Sequence, residues 1–274
     1  MAKKQINNNA EIVFTCSEAF HYKGEIIVEE HSLVRVISGE LKVIQADKTY
    51  TFSAGETHLF PRNQLATLIK YEKDGLPYKA IVVKLTNAIL REFYGNRKIE
   101  TFQTFKTDKI IPLTKSPLLD SFFTSVLPYF ELDYKLPPEL SKLKIQEAIT
   151  ILRTISKDID GILSDFSEPH KINIAEFMER NYMFNMPMEK FSYLTGRSLT
   201  TFKRDFKKAF NTTPQKWLTE KRLELARYQL SEKHRKPIDI FYEVGFENLS
   251  HFSYAFKKQF GLTPTELISQ SSEH

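Results

Sequence analysis

Thr200, Lys203, Arg204 and Lys207 recur at intervals of three and four, which puts them on one side of an α-helix at about 100° per residue. The other side carries Phe202, Phe206, Ala209 and Phe210. A hydroxyl, ammoniums and a guanidinium on a free helical face can donate to carbonyl oxygens, ring nitrogens and phosphates. The aromatic stripe is a core face and needs no cofactor. Fifty residues later the arrangement returns. Thr201-Phe-Lys-Arg-Asp-Phe-Lys-Lys-Ala-Phe-Asn-Thr-Thr-Pro214 aligns with His251-Phe-Ser-Tyr-Ala-Phe-Lys-Lys-Gln-Phe-Gly-Leu-Thr-Pro264, identical at seven of fourteen positions, so one structural unit occurs twice. In the second copy Phe252, Phe256 and Phe260 face inward with Leu249 nearby, and Ser250, Ser253, Tyr254 and Lys257 face outward.

These two stretches need elements to hold them. Asn173-Ile-Ala-Glu176 reads as a capped helix start, with Ile174, Phe177, Met178 and Tyr182 at helical spacing. Pro187 restarts the chain in a short helix carrying Phe191 and Leu194, Gly196 breaks it, and Ser198 caps the first basic helix. A short helix, a glycine turn and an amphipathic helix make a helix-turn-helix, which puts its second helix into a DNA major groove. Thr213-Pro214 opens a helix to about residue 231 with two apolar sides. Trp217, Leu218 and Leu225 form one, and Leu223, Ala226 and Leu230 the other, as expected of a connector between two units. On it, Lys216 and Arg222 are expected to reach solvent or phosphate. Ile238, Ile240, Phe241 and Val244 should pack a short helix opened by Pro237 and stopped at Gly245. Asn248 caps the second basic helix, and Thr263-Pro-Thr-Glu266 forms a capping box.

On these residues the stretch from about 171 to 270 resembles the DNA-binding domain of AraC/XylS-family transcription regulators. Glu243-Val-Gly-Phe-Glu-Asn-Leu-Ser-His-Phe-Ser-Tyr-Ala-Phe-Lys-Lys-Gln-Phe-Gly-Leu-Thr-Pro264 follows the family signature, and Lys221-Arg-Leu-Glu-Leu-Ala-Arg227 also matches. Two departures stand out: Phe191-Ser192 where the family usually has Leu-Ala, and Phe241 where a small alanine is usual. The resemblance implies base reading by Thr200, Lys203 and Arg204 in the first unit and by Leu249, Ser250, Ser253 and Tyr254 in the second. It implies phosphate contacts by Lys207, Lys208, Lys257 and Lys258. It further implies double-stranded promoter DNA as partner, recruitment of RNA polymerase, and activation more than repression.

Charge supports a polyanion partner for this part alone. Residues 171–274 hold 17 Lys+Arg against 12 Asp+Glu, whereas the 170 residues before them hold 22 of each. The 274 residues suit two domains. No run of eighteen apolar residues and no apolar leader indicates a membrane span or export, and the single Cys16 fits a reducing cytoplasm.

The first part reads as short strands at Glu11–Thr15, Glu25–Glu29, Leu33–Ile37, Leu41–Gln45, Thr49–Phe52, Thr57–Phe60, Leu65–Tyr71 and Tyr78–Leu85. Ile37-Ser-Gly-Glu-Leu-Lys-Val and Phe52-Ser-Ala-Gly-Glu-Thr-His-Leu-Phe-Pro61 resemble a cupin's strand-turn-strand signature. Helices are expected at Asn87–Tyr94, Ser116–Tyr129 and Pro138–Phe166, the last with enough apolar surface either to pair two subunits or to pack on the chain's own barrel. The expected class is α+β: a cupin-like regulatory and dimerisation domain over 1–163, a linker over 164–170, and an all-α double helix-turn-helix domain over 171–274. His21, His31 and His58 are scattered, with no His-x-His pair, so no metal or cofactor is assigned. No nucleophile, paired-carboxylate or phosphate-loop constellation supports catalysis. Residues 1–170 are similar to the ExsA-like subgroup of regulators of type III secretion, where the N-terminal domain serves dimerisation and control by a protein more than small-molecule sensing. A small effector or a regulatory protein acting there, and a homodimer, are the partners this leaves open. The rival readings are a cupin-type metalloenzyme with a DNA-binding tail, and a non-specific architectural DNA-binding protein.

Overall fold

A computed structural model describes residues 10–17, 21–46, 48–95, 107, 109–131 and 136–271. Its contacts divide the chain into two compact units, Met1–Ser167 and Glu168–His274. The expectation drawn from the first nine residues lies outside the described ones.

Eight antiparallel strands open the N-terminal unit: β1 (Ile12–Ser17), β2 (His21–Val28), β3 (His31–Ser38), β4 (Glu40–Ile44), β5 (Thr49–Ser53), β6 (Thr57–Phe60), β7 (Gln64–Tyr71) and β8 (Tyr78–Leu85). They fall at the expected strand positions, to within a few residues at the ends. A short β9 (Ile111–Leu113), not anticipated from the sequence, completes a five-stranded sheet of order β1-β8-β3-β6-β9. A four-stranded sheet of order β2-β7-β4-β5 lies across from it. Val36, Leu41, Val43, Phe52, Phe60 and Ala80 fill the space between the sheets. Alternation along the strands sends the other set of side chains, Leu33, Leu59, Ile81, Val83 and Leu85, to the second face of the five-stranded sheet.

Four helices cover that second face: α1 (Asn87–Gly95), α2 (Pro117–Glu131), α3 (Pro138–Ile155) and α4 (Ile159–Leu163). Their buried residues, among them Phe93, Phe122, Val126, Ile145, Ile149 and Leu152, join the sheet in one core. Much of the helical apolar surface is therefore spent on the chain's own sheet, while Leu118 and Leu143 stay exposed. The single helix expected over Pro138–Phe166 is broken at Ser156, which takes an extended backbone. The break brings Asp160 back against Arg153, Nε to Oδ1 at 2.6 Å, although seven residues span about 10 Å in a continuous helix. Tyr94 also donates to Asp160, so this buried carboxylate is matched by a cation and a hydroxyl.

His31 and His58 are both core residues. His58 stacks on Phe52, ring centroids 3.7 Å apart. His31 accepts the Arg62 backbone N–H at Nδ1, and the Arg62 side chain reaches the carbonyls of Asp165 and Ser167. Burial, reinforced by the Arg62 charge, pushes His31 down to about 4.

The C-terminal unit is all helix: α5 (Ile174–Asn181), α6 (Met188–Leu194), α7 (Leu199–Phe210), α8 (Pro214–Ser231), α9 (Pro237–Ile240), α10 (Leu249–Phe260) and α11 (Pro264–Ser271). The long α8 serves both halves. Trp217 packs against Phe206, Phe210 and Tyr182 of the first. Leu223, Ala226 and Leu230 pack with Ile240, Val244, Phe246, Phe252 and Phe256 of the second. Leu225, about 10 Å further along the axis than Leu218, packs partly buried against this second core.

Arg222 corrects an expectation. Instead of reaching solvent or phosphate, it donates from Nε to the Tyr182 carbonyl at 3.1 Å and from Nη2 to the Phe184 carbonyl at 2.7 Å. Its Nη1 reaches the Gly245 carbonyl at 3.1 Å. Three carbonyls in chain turns, two in the first half and one in the second, need a multi-branched donor at one point, and a guanidinium supplies it. Ile238 is also corrected: it is exposed, since a four-residue helix buries one side and Ile240 with Val244 takes that side.

Arg222→Ala is expected to cost about 2–4 kcal/mol by leaving these carbonyls unpaired. Urea unfolding followed through Trp217, the single tryptophan, reads this half of the chain. The depressed His31 predicts a second effect. Unfolded histidine takes up a proton near 6.5, folded His31 only near 4, so stability is intact above about 6.5 and falls by about 3 kcal/mol on acidification to 4. Calorimetry across that range should show the slope, flattened in His31→Gln.

Candidate nucleic-acid interface

The two amphipathic helices are built alike from their ends inward. Ser198 caps α7 by accepting the Thr201 N–H at 3.3 Å, and Asn248 caps α10 by accepting the His251 N–H at 2.7 Å. Both helices end on a left-handed residue, Asn211 at φ +54° and Gly261 at φ +79°. Thr213 and Thr263 then cap the following helices at Lys216 and Glu266, and the Glu266 carboxylate returns a bond to the Thr263 N–H at 2.6 Å.

Each is preceded by a turn that needs glycine. Gly196 has φ +66° and abuts the backbone of Pro169 and His170, so a side chain there would meet main chain. Gly245 has φ +89°, and a Cβ would lie 2.7 Å from Arg222 Nε. Conformation and space both exclude larger residues at these two positions. The turns also differ by one residue: Ser198 follows Gly196 by two, Asn248 follows Gly245 by three.

Phe202 and Phe206 on α7, and Phe252 and Phe256 on α10, are fully buried, each pair in ring contact. Ala209 aligns with this stripe but is exposed, so the buried band on α7 is narrower than expected. The two family departures also lie beneath these helices: Phe191 is fully buried, Ser192 bonds back to the Glu189 carbonyl, and Phe241 packs half-buried in the second core.

Outside lies the candidate surface. Thr200, Lys203, Arg204, Lys207 and Lys208 are exposed on α7, and Ser250, Tyr254, Lys257 and Lys258 on α10. Ser253 is half-buried, and Leu249 is half-buried against the second core, so it offers less free surface than its neighbours. Lys203 also edges a cleft of about 370 Å³ lined by Met186, Glu189, Gln215 and Thr219. Arg204 carries the exposed guanidinium of the set, its side chain 64% accessible, with Nε and Nη2 both 3.3 Å from Asp205 Oδ1. The bond from Arg197, and after it Arg204, lowers the Asp205 carboxyl below its ordinary range. Sequence reasoning passed over Arg197 and Asp205. The signal available was an acid at the one position of a basic face where the second copy has Ala255.

What the surface can do is donate. Cations and hydroxyls stand on two helices whose backbones are fixed by caps and buried rings, and no pair of groups on it is arranged as a nucleophile with its base. In the N-terminal unit, no group of three or more His, Cys, Asp or Glu among the described residues is placed to hold a metal ion; the His21 side chain lies outside the described ones. Among the described residues no helix is long and apolar enough to cross a membrane.

Comparison with known proteins agrees with this geometry. Residues 193–270 match the family model of a helix-turn-helix domain, and residues 31–158 match that of the ExsA N-terminal regulatory domain. The HTH-type transcriptional regulator ExsA of Pseudomonas aeruginosa is 26% identical over 252 residues, covering 90% of this chain and 87% of that protein. The thermoregulatory protein LcrF of Yersinia pestis is 25% identical over 248 residues, covering 87% and 90% respectively. Among solved structures, an apo ToxT variant from Vibrio cholerae aligns at a TM-score of 0.44 and 15% identity, over 95% of this chain and 98% of that one. With a helix-turn-helix domain behind an ExsA-type N-terminal regulatory domain, the chain has the domain make-up of AraC-family transcription regulators of the ExsA-like group.

Proposed function

We propose that this chain is a sequence-specific, DNA-binding transcriptional activator of promoter DNA, with one recognition helix in each of two successive major grooves. The observation that carries the reading is the duplicated unit. Two helices with matching side-chain N-caps and left-handed C-caps, the same buried phenylalanine pair and the same C-terminal lysine pair stand on one connector, and each turns a donor-bearing face outward. A helix of this kind fits the major groove, whose base edges present acceptors at fixed places.

Within that reading, α7 contributes the charged discrimination. Arg204 and Lys203 donate to guanine acceptors, and Thr200 adds a less selective hydroxyl. On α10 the contacts are hydroxyl and apolar, from Ser250, Ser253 and Tyr254, with Leu249 against a thymine methyl. Lys207, Lys208, Lys257 and Lys258 take phosphates and set affinity and register, not sequence. The N-terminal domain controls this activity through a regulatory protein or small effector, and self-association through that domain gives a dimer. RNA polymerase is recruited from the promoter-proximal site, and all of this takes place in the cytoplasm. Names support the activator reading: a relative from Yersinia enterocolitica, 25% identical over 248 residues, is called a virulence regulon transcriptional activator.

Arg204→Ala should lose about 1–3 kcal/mol of specific binding and relax preference at one base pair, measured by competition among single-base-pair variants of the preferred site. Unchanged selectivity would reject its role. Replacing any of the four lysines by Ala should weaken binding to all sequences alike and reduce the salt slope by about one. A footprint should show two protected half-sites about 34 Å apart on one face of the duplex, and protection confined to one groove contradicts the proposal.

A further inference from the structure

Arg197 and Phe246 occupy the same place in the two copies. Each follows the turn glycine, and each closes its backbone N–H onto the carbonyl five residues back, Arg197 onto Ser192 and Phe246 onto Phe241. Phe246 is an apolar ring, nearly buried and edge-on to Phe252, and asks for no partner. Arg197 puts a guanidinium in that position with its side chain only 10% exposed. Its Nη1 donates to the carbonyls of Thr195 at 2.6 Å and Ile172 at 3.0 Å, and its Nε to Asp205 Oδ2 at 3.1 Å. A charge this far from water requires such a set of partners. Asp205 thus stands on a rigid anchor.

Its second oxygen faces outward to Arg204. Adjacent residues on a helix point about 100° apart and do not ordinarily meet. The Arg204 side chain must therefore sweep around α7 for Nε and Nη2 to reach Asp205 Oδ1, both at 3.3 Å. This leaves the Nη1 edge of the guanidinium free, an edge that can still address two acceptors side by side. The second copy lacks the whole device, with Tyr254 and Ala255 at the matching positions.

We infer that Asp205 is a specificity-determining positioning residue, which holds the Arg204 guanidinium in one orientation so that the first unit discriminates at a single base pair. The inference rests on the base-reading role proposed for Arg204. A free arginine loses rotamer freedom on binding and can settle on a phosphate or on a neighbouring base. One already held by a carboxylate loses less, and its remaining donors point one way. Asp205 does not itself touch DNA in this arrangement: both its oxygens are engaged by arginines.

The test uses the full-length chain and double-stranded DNA selected from a random pool, followed by competition with every single-base-pair variant of the selected site. The proteins compared are wild type, Arg204→Ala, Asp205→Asn and the double variant. At the base pair whose preference Arg204→Ala relaxes, Asp205→Asn should lose about five- to tenfold of the discrimination while the other positions and the salt slope hold. It should add nothing in the Arg204→Ala background. Arg197→Met combined with Asp205→Asn removes the buried charge together with its partner, keeps the apolar filling seen in the second copy, and should give the same loss if Asp205→Asn alone fails to fold. Full discrimination at that base pair in a folded Asp205 variant overturns the inference and leaves the function of Arg204 standing. A loss spread evenly over the first half-site also overturns it, because that is the mark of a packing role. If Arg204→Ala itself changes no base preference, the base-reading proposal falls and this inference falls with it.

Discussion

The C-terminal unit depends on one shared element, the helix α8, which must satisfy two cores at once. Its Trp217 side completes the aromatic packing of the first half, and its Leu223, Ala226 and Leu230 side completes the second. Arg222 lies between these sides and binds carbonyls of both halves. Neither half could rotate about the connector without leaving a buried carbonyl or an aromatic ring uncovered. Two groups of weak, individually adaptable donors on α7 and α10 are thereby carried on one frame, and their separation becomes a property of the fold.

Under the proposed base-reading role, that frame is what gives an ordinary set of side chains its selectivity. Lysines and hydroxyls on a surface bind any duplex, with an affinity that salt erodes. Selectivity needs donors held in place, and here the holding is done below the surface, by the phenylalanine pairs, the caps and the glycine turns. The two copies reach this differently. The second fills its turn position with Phe246, while the first uses Arg197 and needs Asp205 to neutralise it. The charge that results is placed beside Arg204, so a packing choice in the core reaches the surface face.

The N-terminal unit follows the same economy of burial. The sheet pair has one apolar interior between the sheets, and the helices supply a second on the outer face of the five-stranded sheet. Some of its buried polar groups are matched locally, Asp160 by Arg153 and Tyr94 and His31 Nδ1 by the Arg62 backbone, while both ring nitrogens of His58 are buried without a hydrogen-bond partner among the described residues. The helices hold to the sheet largely through their apolar residues, which is why the apolar excess on α3 does not by itself announce a second subunit.

Local signals alone determined much of this protein. Alternation over strands such as Leu41–Gln45, capping at Ser198 and Asn248, proline at Pro214 and the fifty-residue repeat are all set by neighbours in sequence, because helix ends, strand faces and turns are governed by interactions within a few residues. The exposed donors on the two helices were legible for the same reason. What tertiary structure decided are the contacts between distant segments. Arg222 reads as a surface cation until the carbonyls of Tyr182, Phe184 and Gly245 are brought around it. The break at Ser156 is settled by Asp160 meeting Arg153 and Tyr94, and Ile238 is left outside because Ile240 and Val244 claim the core. Asp205 gains its role only when Arg197, eight residues earlier, folds under α7. A charged side chain takes its function from the partners that desolvate it, and those partners are chosen by the fold.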